Sequence, residues 1–239
     1  MTLTRVHPAP AASYELDEPA ARDHLLELYR PPASGFLRLN LVASITGSAA
    51  GSDGTSEPLT SRVDRRILGV IRELSDVVLV GAASVRAEGY QLPKRSRLAV
   101  VTSSGDLRGH RIDTAHREPV IVLAPEAARS RALETLPGAQ LVVVPATGQA
   151  LSMVTLVETL RSLGFPSIVC EGGPGLAGQL LSAGLVDEVC LTTSPQLGGP
   201  TLSLLPGNTT TPATLTQLLV DEAGFLFARW AIRVRPTTL

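Results

Sequence analysis

A chain of 239 residues, 44% of them hydrophobic, is long enough to bury a sizeable core, and its net charge of −1 excludes the strong field that gathers nucleic acid or an anionic membrane. It has no run of about 18 apolar residues and no basic N-terminus followed by an apolar stretch, so neither a membrane span nor a signal peptide is expected. Cys170 and Cys190 sit inside apolar runs, without zinc-ligand spacing or the density of a disulfide scaffold; buried free thiols in a reduced, cytoplasmic protein are expected.

Residues 1–17 are rich in Ala and Pro and aperiodic, the pattern of a flexible N-terminal arm ahead of one domain spanning 18–239. Residues 18–29 fit a helix stopped by Pro31 and Pro32. A first strand at 36–44 mixes alternation with an apolar run. The small-residue loop at 46–56 has a length that marks function or mobility in compact domains. Thr60 or Ser61 caps a helix running to about residue 74, with Val63, Ile67, Val70, Ile71 and Leu74 as its apolar stripe. Strands are expected at 77–80, 98–102, 120–123, 141–144, 167–170 and 189–193. Helices are expected at about 126–135, 150–163 and 174–183, the last stopped by Gly184. This alternation predicts an α/β fold with a largely parallel sheet and helices on both faces. Residues 224–234 read as one more strand. No helix precedes it to carry a right-handed crossover, so it is an antiparallel edge or a hairpin partner.

Two strand ends carry the chemistry. In Cys170-Glu171-Gly172-Gly173-Pro174 an apolar run ends in one acid, two glycines follow, and Pro174 suits the first turn of a helix. Backbone N–H groups there can meet an anionic ligand with no Cβ in the way, and the helix dipole favours negative charge. Val80-Gly81-Ala82-Ala83-Ser84 is a second turn of this kind, and open α/β sheets bind ligands beyond the carboxyl ends of their strands. Each segment alone also fits a plain βα turn, with Ser84 as a cap and Glu171 facing solvent. Together they suggest a nucleotide site built from two strand ends.

Other chemistries find little support. No Gly-x-Gly-x-x-Gly follows the first strand, no Walker loop occurs, and Lys94 is the only lysine. His7, His24, His110 and His116 lack metal-ligand spacing, and no Gly-x-Ser-x-Gly elbow is present. Hydride transfer remains, in which a cofactor carries the chemistry and the protein orients it.

These segments resemble the reductase domain of bacterial riboflavin biosynthesis, a family with a dihydrofolate-reductase-like fold. Asn40-Leu41-Val42-Ala43-Ser44-Ile45-Thr46-Gly47 is similar to the family's strand and Ser-Leu-Asp-Gly turn. Thr60-Ser61 and the arginine-bearing helix after it resemble its second element. Residues 75–85 resemble its Gly-x-Gly-Thr turn. Residues 169–174, continuing to Gly184-Leu185-Val186-Asp187-Glu188, resemble its Glu-Gly-Gly-Pro helix and the strand that follows. The match keeps its order from about residue 36 to the end.

The resemblance implies NADPH-dependent reduction of 5-amino-6-(5-phosphoribosylamino)uracil to its ribitylamino form, with hydride delivered to C1 of the sugar through a ring-opened imine. It places Ala43, Gly81, Ala83, Ser84, Val85, Ser103, Gly172, Gly173 and Leu176 on the cofactor. It places Asn40, Ser44, Thr60, Arg72 and Glu171 on the substrate, with Glu171 holding the pyrimidine edge. No catalytic residue and no metal is assigned. Arg86, Arg95 and Arg108 are candidates for a 2′-phosphate. A homodimer joined through the C-terminal strands is implied, and a reductase without the deaminase domain, whose Pro-Cys-x-x-Cys motif does not occur.

Thr46 stands where the family mostly has aspartate, Asn40 where it often has lysine, Ala83 in place of a glycine and Ser84 in place of a threonine. The first two fall where substrate is expected to sit. Two other readings share the motifs. One is a reductase of the same fold acting on dihydrofolate or another heterocycle, which requires a buried acid on the helix starting near Thr60; Asp64 and Glu73 are the only acids there. The other is a nucleotide-binding module without catalysis.

Overall fold

Val77, Val78, Leu79 and Val80 are fully buried, and they enter two apolar layers alternately: Val77 and Leu79 one, Val78 and Val80 the other. A period of two with both faces apolar is the mark of a central strand covered by helices. The computed structural model describes residues 1–88, 90, 92–112, 120–147, 150–207 and 210–232. Its elements are β1 (Thr2–His7), β2 (Ala12–Glu15), α1 (Ala21–Tyr29), β3 (Leu37–Ser44), α2 (Arg62–Glu73), β4 (Val77–Gly81), α3 (Ala82–Ala87), β5 (Arg97–Val101), β6 (Ile121–Ala124), α4 (Arg129–Thr135), β7 (Gln140–Val143), β8 (Ala146–Thr147), β9 (Ala150–Leu151), α5 (Met153–Ser162), β10 (Ile168–Cys170), α6 (Pro174–Ser182), β11 (Glu188–Ser194), β12 (Ala213–Asp221) and β13 (Leu226–Ile232).

One sheet of 11 strands runs in the order β2-β1-β12-β13-β11-β3-β10-β4-β5-β6-β7, and β8 pairs with β9 apart from it. From β11 to β7 every pairing is parallel, and from β11 to β2 every pairing is antiparallel. The expected α/β class, mostly parallel with antiparallel C-terminal strands, is therefore observed. One apolar layer joins the α2 stripe Val63, Ile67, Val70 and Ile71 to the sheet. The opposite layer joins Leu156 and Leu160 of α5 and Leu176, Ala177 and Leu180 of α6 to Leu39, Leu41 and Leu79.

Residues 1–17 are not a flexible arm. β1 and β2 form a hairpin that extends the sheet through β1 and β12, with Leu3 wholly buried. The alternation of β1 presents little apolar run, and Pro8 and Pro10 sit in the connection, where no ladder bond is lost. The C-terminal strand is one arm of a second hairpin: β12 precedes it, and Gly224, at φ +84°, lies in the turn. Residues 233 and 234 of the expected strand, and His116, lie outside the described residues. The helix expected at 126–135 splits into a 3₁₀ turn at Glu126–Ala128 and α4. That expected from residue 150 starts at Met153, capped by Ser152.

Between β3 and β11 lies a buried ionic network. Glu188 accepts from Arg38 Nε at 2.6 Å and from Arg229 Nη2 at 2.7 Å, and Arg38 also donates to the Tyr29 carbonyl at 2.9 Å. Burial pushes the Glu188 pKa up, but Arg38 and Arg229 outweigh it and hold the carboxyl below its ordinary range. Both cysteines are free and buried, and burial pushes each thiol up to about 12, so neither is a thiolate at neutral pH.

The insertion of β10 between β3 and β4 is what positions the site. Three neighbouring parallel strands then end on one side, at Ser44, Cys170 and Gly81. Helix α2 starts beside them because Ser61 Oγ accepts from the Asp64 N–H at 3.1 Å.

Candidate active site

The two glycine turns meet. The Gly81 N–H donates to the Gly172 carbonyl at 2.9 Å. Gly172 has φ +105°, a backbone that side-chain-bearing residues rarely adopt, and the Gly172–Gly173 peptide is cis. A Cβ on Gly81 would lie 3.7 Å from the Gly173 nitrogen, and one on Gly173 would lie 2.9 Å from Ser84 Oγ. Gly173 is the N-cap of α6, Pro174 begins the helix, and no side chain caps it. Its N-terminal dipole therefore faces the cleft that Gly173, Pro174, Gly175 and Leu176 line.

The cleft has a volume of about 850 Å³, ample for a nucleotide and a second small molecule. Its opposite wall is α2. Thr60, Asp64, Leu68 and Arg72 recur every four residues and all line the cleft. Arg72 forks Glu171, with Nε to Oε1 at 2.6 Å and Nη2 to Oε2 at 2.7 Å. The Tyr90 hydroxyl also donates to Glu171 Oε2, and the Arg72 guanidinium lies 5.2 Å from the Tyr90 ring centre. Burial works against the Arg72 charge, yet the hydrogen bond and charge of Glu171 raise its pKa. Burial and the Glu171 charge hold the Tyr90 phenol well above its ordinary value.

Asp64 is 8% exposed and accepts from Thr192 Oγ1 at 2.6 Å. Burial pushes its pKa up to about 6, against the Thr192 hydrogen bond and the Arg65 charge, and Glu171 adds to the rise. Glu73, the other acid on α2, is instead paired with Arg22 and Arg95.

Two loops close a third side, where Ala49, Ala50, Leu202 and Leu204 line the cleft. The Ala49 N–H donates to the Leu202 carbonyl at 3.0 Å, and Ser48 Oγ donates to the Pro200 carbonyl at 2.6 Å. Ser56 ties the first loop to α3 through Oγ and Glu88 Oε2, 2.9 Å apart.

Asn40, Thr60, Arg72, Gly81, Ala83, Ser84, Glu171, Gly172, Gly173 and Leu176 all line the cleft. Ser44, Ala43, Val85 and Ser103 are not among its lining residues. Ser44 is buried in its turn, accepting from the Ser48 N–H at 3.2 Å. Ala43 is buried, and Val85 faces the core because the helical period turns Ala83 and Ser84 to the cleft instead. Ser103 follows β5, one strand further from β10 than Gly81. Thr46 also stays out of the lining: it bonds Ser44 and donates to the Gly198 carbonyl at 3.1 Å, fastening one loop to the other. Of the two departures on the substrate side, only Asn40 lies in the cleft. Arg86 and Arg108 converge on Asp106, and Arg95 pairs with Glu73. Tyr90 and Asp64 join these residues: the four-residue spacing from Thr60 to Arg72 signals Asp64, and no local pattern signals Tyr90.

Fold and cleft together define an α/β protein with one large cleft at the carboxyl ends of three neighbouring parallel strands. Residues 35–226 match the model of the RibD C-terminal domain, and the chain belongs to that family. It is 29% identical over 197 residues to the riboflavin biosynthesis protein RibD of Escherichia coli K12, covering 72% of this chain and 52% of the relative. It is 27% identical over 173 residues to the 2,5-diamino-6-ribosylamino-4(3H)-pyrimidinone 5′-phosphate reductase of Methanothermobacter thermautotrophicus, covering 69% of this chain and 79% of that relative. The chain thus spans about half the length of the RibD relative. A solved pyrimidine reductase-like protein from Corynebacterium diphtheriae superposes with a TM-score of 0.73 at 22% identity, covering 89% of this chain and 99% of the other. A solved deaminase/reductase from Thermotoga maritima superposes with a TM-score of 0.69 at 19% identity, covering 84% and 57%. These two show a shared fold.

Proposed function

We propose that the chain is an NADPH-dependent oxidoreductase that reduces 5-amino-6-(5-phosphoribosylamino)uracil to the ribitylamino product. The observation that carries this reading is the junction of the Gly81 and Gly172 turns beside the Arg72–Glu171 pair, because it sets an anion-binding floor next to a polar grip for a ring. Gly173, where a Cβ would crowd Ser84, and the uncapped N-terminus of α6 suit a dinucleotide. Ala83, Ser84 and Leu176 would complete its hold. Bound there, the cofactor supplies hydride.

The chain's own residues then do the positioning. Arg72 fixes Glu171, and Glu171 Oε1, with one bond from Arg72 Nε, keeps acceptor capacity for a pyrimidine N–H. Asn40 offers an amide on the same side. The paired loops at 45–60 and 196–204 wall that side of the cleft. Half-buried Leu191, Trp230 and Ile232 on one face of β11 and β13 support a homodimer, and a cytoplasmic enzyme is part of this reading. No helix among the described residues is long and apolar enough to cross a membrane.

Asp64 gives a second reading its support. A buried acid on α2 in the cleft is what reduction of dihydrofolate or a related heterocycle demands. NADPH oxidation assayed against both substrates separates the readings. Turnover of the phosphoribosylaminouracil alone is expected. Turnover of dihydrofolate alone establishes the second reading, and cofactor binding without turnover of either establishes a non-catalytic module.

A further inference from the structure

Four carboxylates line the cleft, and Glu57, the exposed one, is paired with Arg65. Both oxygens of Glu171 accept bonds, from Arg72 and Tyr90, and both oxygens of Glu88 accept from Ser56. Neither has a free proton-bearing oxygen in this arrangement, and the Tyr90 hydroxyl is spent on Glu171. Asp64 differs. Its Oδ1 accepts from Thr192, and its Oδ2 takes no hydrogen bond from any described residue, although the side chain is buried and borders the cleft. A carboxyl oxygen with no protein partner at the edge of a cleft is open to a proton or a ligand.

Reduction of the ring-opened imine needs a proton as well as a hydride. We propose, resting on the pyrimidine-reductase reading, that Asp64 is the catalytic acid and delivers this proton from Oδ2 to the imine nitrogen. The open imine has the composition of the closed glycosylamine, its N–H proton having moved to the ring oxygen as the C1′–O bond breaks. Hydride from the reduced cofactor then forms a new C–H bond at C1′, the C=N π pair moves onto nitrogen, and the Asp64 proton makes the N–H bond. Carbon is reduced, the cofactor is oxidised, and the Asp64 carboxylate takes a proton from solvent before the next turnover.

The groups facing Asp64 suit this cycle. Arg65 on its own helix favours the carboxylate, as does the Thr192 hydrogen bond from β11. Burial and Glu171 after β10 favour the acid, and Tyr29 at the end of α1 also feels the Asp64 charge. The balance leaves an acid that titrates near neutral pH, the range in which a general acid works best.

The test compares wild type with Asp64→Asn and Asp64→Glu. Single-turnover hydride transfer to the phosphoribosylaminouracil is followed from pH 5 to 9, and infrared difference spectra of the cofactor-free proteins follow the carboxylic acid band. The proposal expects a wild-type rate that falls above about pH 6, a rate at least ~100-fold lower in Asp64→Asn, partial rescue in Asp64→Glu, and a protonated band that titrates in wild type and is absent from Asp64→Asn. Asp64→Asn turnover within about threefold of wild type with the same pH profile overturns it, as does the lack of a titrating band. A wild type that turns over dihydrofolate but not the pyrimidine overturns the substrate reading and the imine step with it. Unaltered pyrimidine turnover in Asp64→Asn overturns the acid alone.

Discussion

The Gly81 amide donates to the Gly172 carbonyl at 2.9 Å, so the turns that end β4 and β10 form one backbone unit. The two residues lie far apart in sequence and are joined because β10 inserts directly beside β4. A ligand resting on one turn therefore feels any change in the other.

Gly173→Ala tests this floor. The new Cβ would stand 2.9 Å from Ser84 Oγ, which can swing aside by rotation about χ1. Stability should fall by only about 1 kcal/mol, the low end for overpacking. Cofactor affinity should fall at least about tenfold, because the methyl group and the displaced hydroxyl both enter the site. Fluorescence titration with NADPH measures it, and unchanged affinity would remove this turn from the cofactor site.

Arg72 and Glu171 should behave as a pair. Arg72→Met leaves a carboxylate that is 6% exposed without its cation, a loss of about 3–5 kcal/mol. Adding Glu171→Gln should restore part of that loss, and urea unfolding of the four proteins gives the coupling. Glu171→Gln alone should keep cofactor affinity and reduce turnover at least about tenfold. Strict additivity in the cycle would contradict the pairing.

How far the sequence disclosed this site depends on the range of each contact. The glycine turns were visible because each is local: an apolar run, a glycine, then a helix start. That the two turns touch depends on β10 lying directly beside β4, an order no local pattern carries. The Arg72–Glu171 fork and its Tyr90 partner could not be read, because they join segments 99 and 81 residues apart through side-chain geometry. Glu171 accordingly looked like a residue facing substrate directly, whereas Arg72 and Tyr90 already hold it. The β1–β2 hairpin escaped notice because its strands hide few apolar residues, Leu3 foremost among them. The role of Thr46 is hidden for a related reason: its partner, Gly198, lies 152 residues away.

Asp64 and Glu188 should give opposite pH signatures in stability. For Asp64 the folded pKa of about 6 exceeds the ordinary 3.8, so the folded state binds the extra proton. The resulting penalty is absent below pH ~4 and complete above pH ~6, reaching about 3 kcal/mol. Asp64→Asn keeps the acceptor for Thr192 and should therefore be more stable than wild type at pH 8 by roughly that amount. The gain should vanish near pH 4. Denaturant unfolding at the two pH values reads it, and a gain independent of pH would show that Asp64 is not held protonated.

For Glu188 the folded pKa lies below the ordinary 4.5. Its contribution is present above the unfolded value and is lost as pH falls through the folded one. Glu188→Gln leaves Arg38 and Arg229 buried without their anion, at a cost of about 3–5 kcal/mol at pH 7. That difference from wild type should shrink in acid, and a constant difference would assign the network to packing alone.

The most direct measurement follows the hydride itself. The chain is incubated with C4-deuterated NADPH and the phosphoribosylaminouracil, and the product is analysed by mass spectrometry and NMR. The account predicts one deuterium at C1′ of a ribitylamino product, formed in step with cofactor oxidation. Bound cofactor with no deuterium in the pyrimidine product would contradict it.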